Sequence, residues 1–124
     1  MNIIDSSCWL EYLMDTEIGR KIALVIENPN ELIVPTITLY EVYKILSSEK
    51  GKKYAQNVIS YMQTGRIIEL STELSLSAAD ISRKYSLAMA DSIIYATSLH
   101  YSATVFSCDK HFKDLDNVNF FPKK

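Results

Sequence analysis

Apolar residues in this chain fall into two spacings. Short runs of two to four, such as Ile3-Ile4, Leu32-Ile33-Val34, Ile67-Ile68 and Ala103-Thr104-Val105-Phe106, predict buried strands. Between them, apolar positions recur at helical intervals. Trp9, Leu10, Tyr12 and Leu13 mark a first helix, for which Ser6 and Ser7 offer N-caps. Ile18, Ile22, Val25 and Ile26 mark a second over residues 16–27, stopped by Asn28-Pro29-Asn30. Leu39, Val42, Tyr43 and Leu46 set a third. After Gly51, Ala55, Val58, Ile59 and Met62 set a fourth, with Gly65 read as its C-terminal cap. Strand three is expected over residues 67–70. Leu74, Ala78, Ile81 and Tyr85 give the fifth helix and residues 89–101 the sixth, followed by a strand over 103–106 and an edge strand at Val118-Asn119-Phe120.

Strands that are apolar throughout and alternate with helices predict a mostly parallel sheet of four or five strands covered on both faces, a three-layer α/β/α sandwich in one domain over residues 1–124. In such sheets ligands bind outside the carboxyl ends of the strands. Asp5 directly follows the first strand and Asp109 nearly follows the fourth. Glu41 is expected in the first turn of the helix after the second strand. Asp91 opens a helix that must deliver the chain to the start of the fourth strand, so its own start belongs at the carboxyl edge. The pattern therefore brings four carboxylates to one crevice.

Composition narrows the setting without naming a partner. The chain has 124 residues, 48% hydrophobic and 23% charged, with three Gly and three Pro, which excludes long Gly-rich phosphate loops. No apolar run approaches the ~20 residues needed to span a bilayer, and the start of the chain lacks the basic region of a signal peptide, so a cytoplasmic protein without membrane contact is expected. A net charge of -2 leaves any nucleic-acid binding to a local basic patch. Cys8 and Cys108 have no metal-ligand spacing and read as reduced structural thiols.

Each acid alone has a structural reading. Asp5 and Asp109 can cap short helices, Asp91 suits a helix dipole, and Thr38-Leu39-Tyr40-Glu41 has the form of a capping box. A cap, however, contributes about 1 kcal/mol, which Ser, Thr or Asn supplies without charge. Two carboxylates ~5 Å apart repel by roughly 3 kcal/mol at an effective dielectric of ~20. Capping does not offset four such groups in one crevice, whereas a hard divalent cation, Mg²⁺ or Mn²⁺, does. An ion held by carboxylates and substrate phosphate oxygens suits phosphodiester hydrolysis, with no protein nucleophile required.

Asp5-Ser6-Ser7, Pro35-Thr36 with Glu41, Leu87-Ala88-Met89-Ala90-Asp91-Ser92-Ile93-Ile94 with Ala96, and Ser107-Cys108-Asp109-Lys110-His111-Phe112 stand in that order along the chain. The set resembles PIN-domain ribonucleases, and small VapC-type toxins in particular. The resemblance implies a five-stranded parallel sheet, an Mg²⁺- or Mn²⁺-dependent endoribonuclease acting as the toxin of a type II toxin–antitoxin system, a cognate antitoxin that blocks the acidic site, and a homodimer. It makes Asp5, Glu41, Asp91 and Asp109 the catalytic and metal-binding acids, and Ser7 and Ser107 the hydroxyls that orient them. Ser107 stands where the family commonly has Thr, which keeps the hydroxyl. Asp114 and Asp116 lie near enough in sequence to replace or join Asp109.

Lys44, Lys110, His111 and Lys113 are the candidates for RNA phosphate contacts, and Tyr40, Tyr43, Tyr54 and Tyr61 for the dimer or antitoxin surface. The alternative function is a catalytically silent PIN domain that binds RNA or protein. A phosphoacceptor receiver domain has a similar length and acidic site, but it requires adjacent acids after the first strand, where this chain has Ser6 and Ser7.

Overall fold

A computed structural model describes residues 1–123. Five strands, β1 (Asn2–Ile4), β2 (Leu32–Pro35), β3 (Arg66–Ile68), β4 (Thr104–Ser107) and β5 (Val118–Phe120), form one sheet in the order β3-β2-β1-β4-β5. Every neighbouring pair is parallel. The six helices are α1 (Ser6–Leu13), α2 (Glu17–Ile26), α3 (Thr36–Lys50), α4 (Lys52–Met62), α5 (Thr72–Tyr85) and α6 (Met89–His100).

The period of two along each strand divides the core. Ile4, Leu32, Val34 and Phe106 face Cys8, Trp9, Ile22, Ile26, Val42, Leu46, Ala55 and Met62 from α1 to α4. Ile3, Ile33 and Val105 face the other way, onto Ala78 and Ile81 of α5 and Ile93 and Ile94 of α6. Register fixes this sorting, since Ile3 pairs with both Ile33 and Val105 while Ile4 pairs with Phe106. A slip of one residue would turn each side chain to the wrong face. The result is the expected α/β/α sandwich, with all five strands present and parallel.

Strand order explains where a crevice opens. From β1 the chain winds outward to β2 and β3, then crosses the opposite face through α5 and α6 to place β4 on the other side of β1. The carboxyl ends of β1 and β4 are thus neighbours from which the chain departs in opposite directions, the switch point at which open α/β sheets form a crevice.

Helix α6 is buried from Ser92 to Ser98. Its polar residues are accommodated by bonds to its own backbone: Ser92, Thr97 and Ser98 donate to the carbonyls of Met89, Ile93 and Tyr95. No hydroxyl of this set is left to clash with the apolar surroundings.

Several local readings are corrected. Strand β3 begins at Arg66 and ends at Ile68, and β4 runs on to Ser107. The N-cap of α1 is Asp5, whose carboxylate accepts from the Ser6 N–H, so Ser6 and Ser7 are helical and free their hydroxyls for other partners. Gly65 is not a left-handed helix cap. A side chain there would meet Val34 Cγ2 at 3.0 Å and the Leu32 carbonyl oxygen at 3.2 Å, so it is small because the chain entering β3 runs close to β2. The left-handed helix cap occurs instead at Ser86, the C-cap of α5, and Gly51, between α3 and α4, has a positive φ with an extended ψ. Among the described residues, no helix is long and apolar enough to cross a membrane.

Gly19 marks the closest approach of α2 to α1. A Cβ there would overlap the Glu11 carbonyl oxygen and stand 2.7 Å from Tyr12 Cα, both backbone atoms. Gly19→Ala is expected to destabilise the protein by roughly 2 kcal/mol or more despite the better helix propensity of alanine, measured as a lower midpoint in urea unfolding.

Candidate active site

Asp5 directly follows β1 at the switch point and is only 3% exposed. Its Oδ1 accepts from the Ser6 N–H at 2.9 Å, and its Oδ2 accepts from the hydroxyls of Ser7 and Ser107, each at 2.8 Å. The two serines are fixed in turn. Ser7 Oγ accepts from the Cys108 N–H at 3.1 Å, and Ser107 Oγ accepts from the Asp109 N–H at 2.9 Å. Each hydroxyl therefore receives a backbone proton on one side and donates to Asp5 on the other, so its orientation is determined. This network joins the end of β1 to the end of β4, beside the direct bond from the Asp5 N–H to the Phe106 carbonyl.

Glu41 reaches the same place from α3. Because α3 begins at Thr36, Glu41 lies in its second turn, and the helix has no side-chain cap and no acid in its first turn. The capping-box reading is overturned: Glu41 Oε1 accepts from Ser6 Oγ at 3.0 Å, and Thr38 Oγ1 is buried with no partner. The site-positioning role of Ser6 was not foreseen. Its signal lay in two consecutive serines after Asp5, since a helix turns them about 100° apart and aims one at β4 and the other at α3.

Asp91 stands in the first turn of α6 with its side chain 14% exposed. Asp109 N-caps the one-turn 3-10 helix Lys110–Phe112, accepting from the His111 N–H at 2.9 Å. His111 folds back so that its Nδ1 is 2.8 Å from Asp109 Oδ1 and 3.9 Å from Asp91 Oδ2. One ligand atom from each of Asp91, Asp109 and His111 lies within 4.8 Å of the others, a spacing that a cation could bridge. Asp5 and Glu41 are outside this group and join it only through the charges they set around Asp91, and the exposed Asp114 and Asp116 are outside it too.

The electrostatics link all four expected acids. Burial and the charges of Asp109, Asp5 and Glu41 push the Asp91 carboxyl up to about 7, against the small opposing effect of His111. Burial and the charges of Asp5 and Asp109 raise Glu41, against its bond from Ser6. Asp5 is raised by burial in spite of its hydrogen bonds. The crevice thus holds more negative charge than it can keep ionised by itself. Its donor set is hard oxygen with one imidazole nitrogen, which suits Mg²⁺ or Mn²⁺. Asp5 offers three of about four lone-pair positions to protein donors, leaving one for a cation.

The candidate RNA contacts are dispersed. Lys110, His111 and Lys113 are exposed on the segment after β4, whereas Lys44 lies on α3 with its Nζ 5.8 Å above the Tyr40 ring. Tyr40, Tyr54 and Tyr61 are exposed on α3 and α4 and Tyr43 is partly buried.

The raised Asp91 gives a pH dependence of definite sign. Unfolded, this carboxyl ionises near 3.8; folded, it holds its proton to about 7. Between those values the folded chain binds more protons, so stability falls as pH rises through the window. The protein without metal should therefore be more stable at pH 5 than at pH 8, and Asp91→Asn should raise stability at pH 8 by on the order of 2 kcal/mol while flattening the profile. Thermal melts across that range check it; an Asn variant less stable than the parent at pH 8 contradicts it.

A family model described as PIN domain matches residues 3–118. No curated protein sequence matches the chain. Among solved structures, a toxin–antitoxin complex from Klebsiella pneumoniae is similar at 19% identity and a TM-score of 0.80, over 99% of this chain and 100% of that one. The Mycobacterium tuberculosis toxin VapC20, described as cleaving the sarcin–ricin loop, is similar at 12% identity and a TM-score of 0.78, over 95% and 97%. FitAcB from Neisseria gonorrhoeae is similar at 22% identity and a TM-score of 0.73, over 98% of both chains. At these identities the likeness is one of fold.

Proposed function

Starting from the chain's membership of the PIN domain family, which residues 3–118 establish, we propose that it is a divalent-metal-dependent endoribonuclease and the toxin of a type II toxin–antitoxin pair. One observation carries the reading. Asp91 is driven to about 7 by burial and by three other acids that reach it from the ends of β1 and β4 and from α3. A fold gains nothing from concentrating unpaired carboxylates, and it can tolerate them where a cation neutralises the group.

In this reading Asp91 and Asp109 would hold the ion, with Glu41 and the remaining lone pair of Asp5 as the further oxygen ligands the crevice can offer. A bound Mg²⁺ or Mn²⁺ would polarise a phosphodiester and activate water against it. The protein's own work is positional. Ser7 and Ser107 hold Asp5 with both hydroxyl protons directed at it, Ser6 holds Glu41, and the His111 N–H holds Asp109. Lys110 and Lys113, on the same segment as His111, which is 68% exposed at the mouth, supply the positive charge that RNA phosphates need, and the His111 imidazole offers a further hydrogen-bonding contact. Lys44 provides a second contact from α3.

The antitoxin reading is supported by the fold shared with the toxin–antitoxin complexes, and the exposed Tyr40, Tyr54 and Tyr61 on α3 and α4 give it and a homodimer an aromatic surface.

Incubated with a total RNA pool and Mn²⁺, the protein should cut at a small number of positions, lose activity to a chelator and recover it when metal is returned. Asp91→Asn should lower cleavage roughly 100-fold or more while remaining folded. Cleavage unaffected by the substitution would sink the assignment, and a folded parent that cuts no RNA at saturating Mn²⁺ would favour a silent binding module.

A further inference from the structure

Cys8 and Cys108 are a pair that the proposed reaction does not use. They are separated by 100 positions in sequence, yet their Sγ atoms are 3.3 Å apart. Both are free thiols, with 0% and 6% of their surfaces exposed. Core filling alone would account for two small apolar side chains. It does not account for where they stand. Cys8 is in the first turn of α1, directly after Ser7, and Cys108 lies between Ser107 and Asp109. The N–H of Cys108 is itself the proton that fixes Ser7 against Asp5. The two sulfurs therefore face each other across the junction that holds the acidic site in shape.

We propose that Cys8 and Cys108 form a reversible disulfide, a modification site through which a peroxide oxidant lowers the activity of the neighbouring acidic crevice. The oxidant is hydrogen peroxide or an alkyl hydroperoxide. The sulfur of Cys108, the less deeply buried residue of the two, attacks the O–O bond; an S–O bond forms, the O–O bond breaks, and the leaving oxygen takes up the proton the thiol gives up, departing as water or alcohol. The Cys8 sulfur then attacks Cys108 Sγ, forming the S–S bond and expelling the sulfenic oxygen as water. Two thiols lose two hydrogens in all, and the peroxide is reduced. A dithiol reverses the change by thiol–disulfide exchange.

The structural consequence follows from distance. The sulfurs must close from 3.3 Å to about 2.05 Å, and the segments that move to allow it carry Ser7, Ser107 and Asp109. A displacement of about 1 Å in a catalytic constellation commonly costs up to ~10²-fold in rate. The effect on cleavage rests on the nuclease reading above; formation of the bond and its effect on metal binding do not.

The test treats the intact protein with hydrogen peroxide, quenches it, and compares three readouts before and after dithiothreitol. Mass spectrometry under denaturing conditions should show the loss of two hydrogens and a Cys8–Cys108 cross-linked peptide. Mn²⁺ binding, followed by calorimetry, should weaken about tenfold or more, and RNA cleavage should fall by at least about as much, both recovering on reduction. Cys8→Ser should keep the reduced-state activity and show no reversible loss. If that variant does not fold, the cross-link and binding measurements on the parent still decide. Addition of oxygen without a cross-link overturns the proposal, as does a cross-link that leaves Mn²⁺ affinity unchanged. A reduced protein that binds Mn²⁺ but cuts no RNA defeats the nuclease assignment and leaves the switch to be judged on binding alone.

Discussion

The grip of two serine hydroxyls on one buried carboxylate is the interaction on which the site depends. Asp5 is the residue directly after β1, and Ser7 and Ser107 bring the start of α1 and the end of β4 onto the same oxygen, Oδ2. Each serine is already fixed by a backbone N–H from the segment after β4. Remove the carboxylate and the buried Ser107 hydroxyl is left without an acceptor, at a cost of about 1–3 kcal/mol, while the partly buried Ser7 hydroxyl loses its acceptor as well. The carboxylate is thus both the N-cap of α1 and the clasp between adjacent parallel strands. Those duties place it in the crevice and leave it one position for anything else.

The other acids are arranged around this clasp by elements with their own reasons to be where they are. Glu41 is carried by α3, which packs against α4 over the sheet, and is tethered through Ser6. Asp91 is carried by α6, whose buried body from Ser92 to Ser98 seals its serine and threonine hydroxyls onto its own backbone and sets the height at which the first turn meets the sheet edge. Asp109 is set by a short 3-10 turn that it caps itself. Capping and charge concentration are therefore combined in the same residues, and the rise of Asp91 to about 7 is the electrostatic result.

Much of this was legible in the sequence because it follows from period and order. The continuous apolar runs of β1, β2 and β4, alternating with helices, foretold a sheet covered on both faces, and the carboxyl-edge rule then brought Asp5, Glu41, Asp91 and Asp109 together without any side-chain information. What escaped the reading was contact across the chain. The link from Ser6 to Glu41 depends on the second turn of α3, one turn beyond where a capping box would put it, and the frame of that helix was set by Pro35 and not by Thr38. The return of His111 onto Asp109 depends on a three-residue turn too short to leave a periodic signal. The approach of Cys8 to Cys108 was implicit in the pairing of β1 with β4, but spacing rules for cysteines look along the chain and not across a sheet.

The central claim is that the crevice between β1 and β4 is built to hold a divalent cation. Anomalous diffraction from a crystal of the protein grown with Mn²⁺ tests it most directly. The account predicts a peak bounded by carboxylate oxygens of Asp91 and Asp109, with Asp5 and Glu41 beside it. A crystal saturated with Mn²⁺ that shows no peak there, or one only among the exposed acids Asp114 and Asp116, would contradict it.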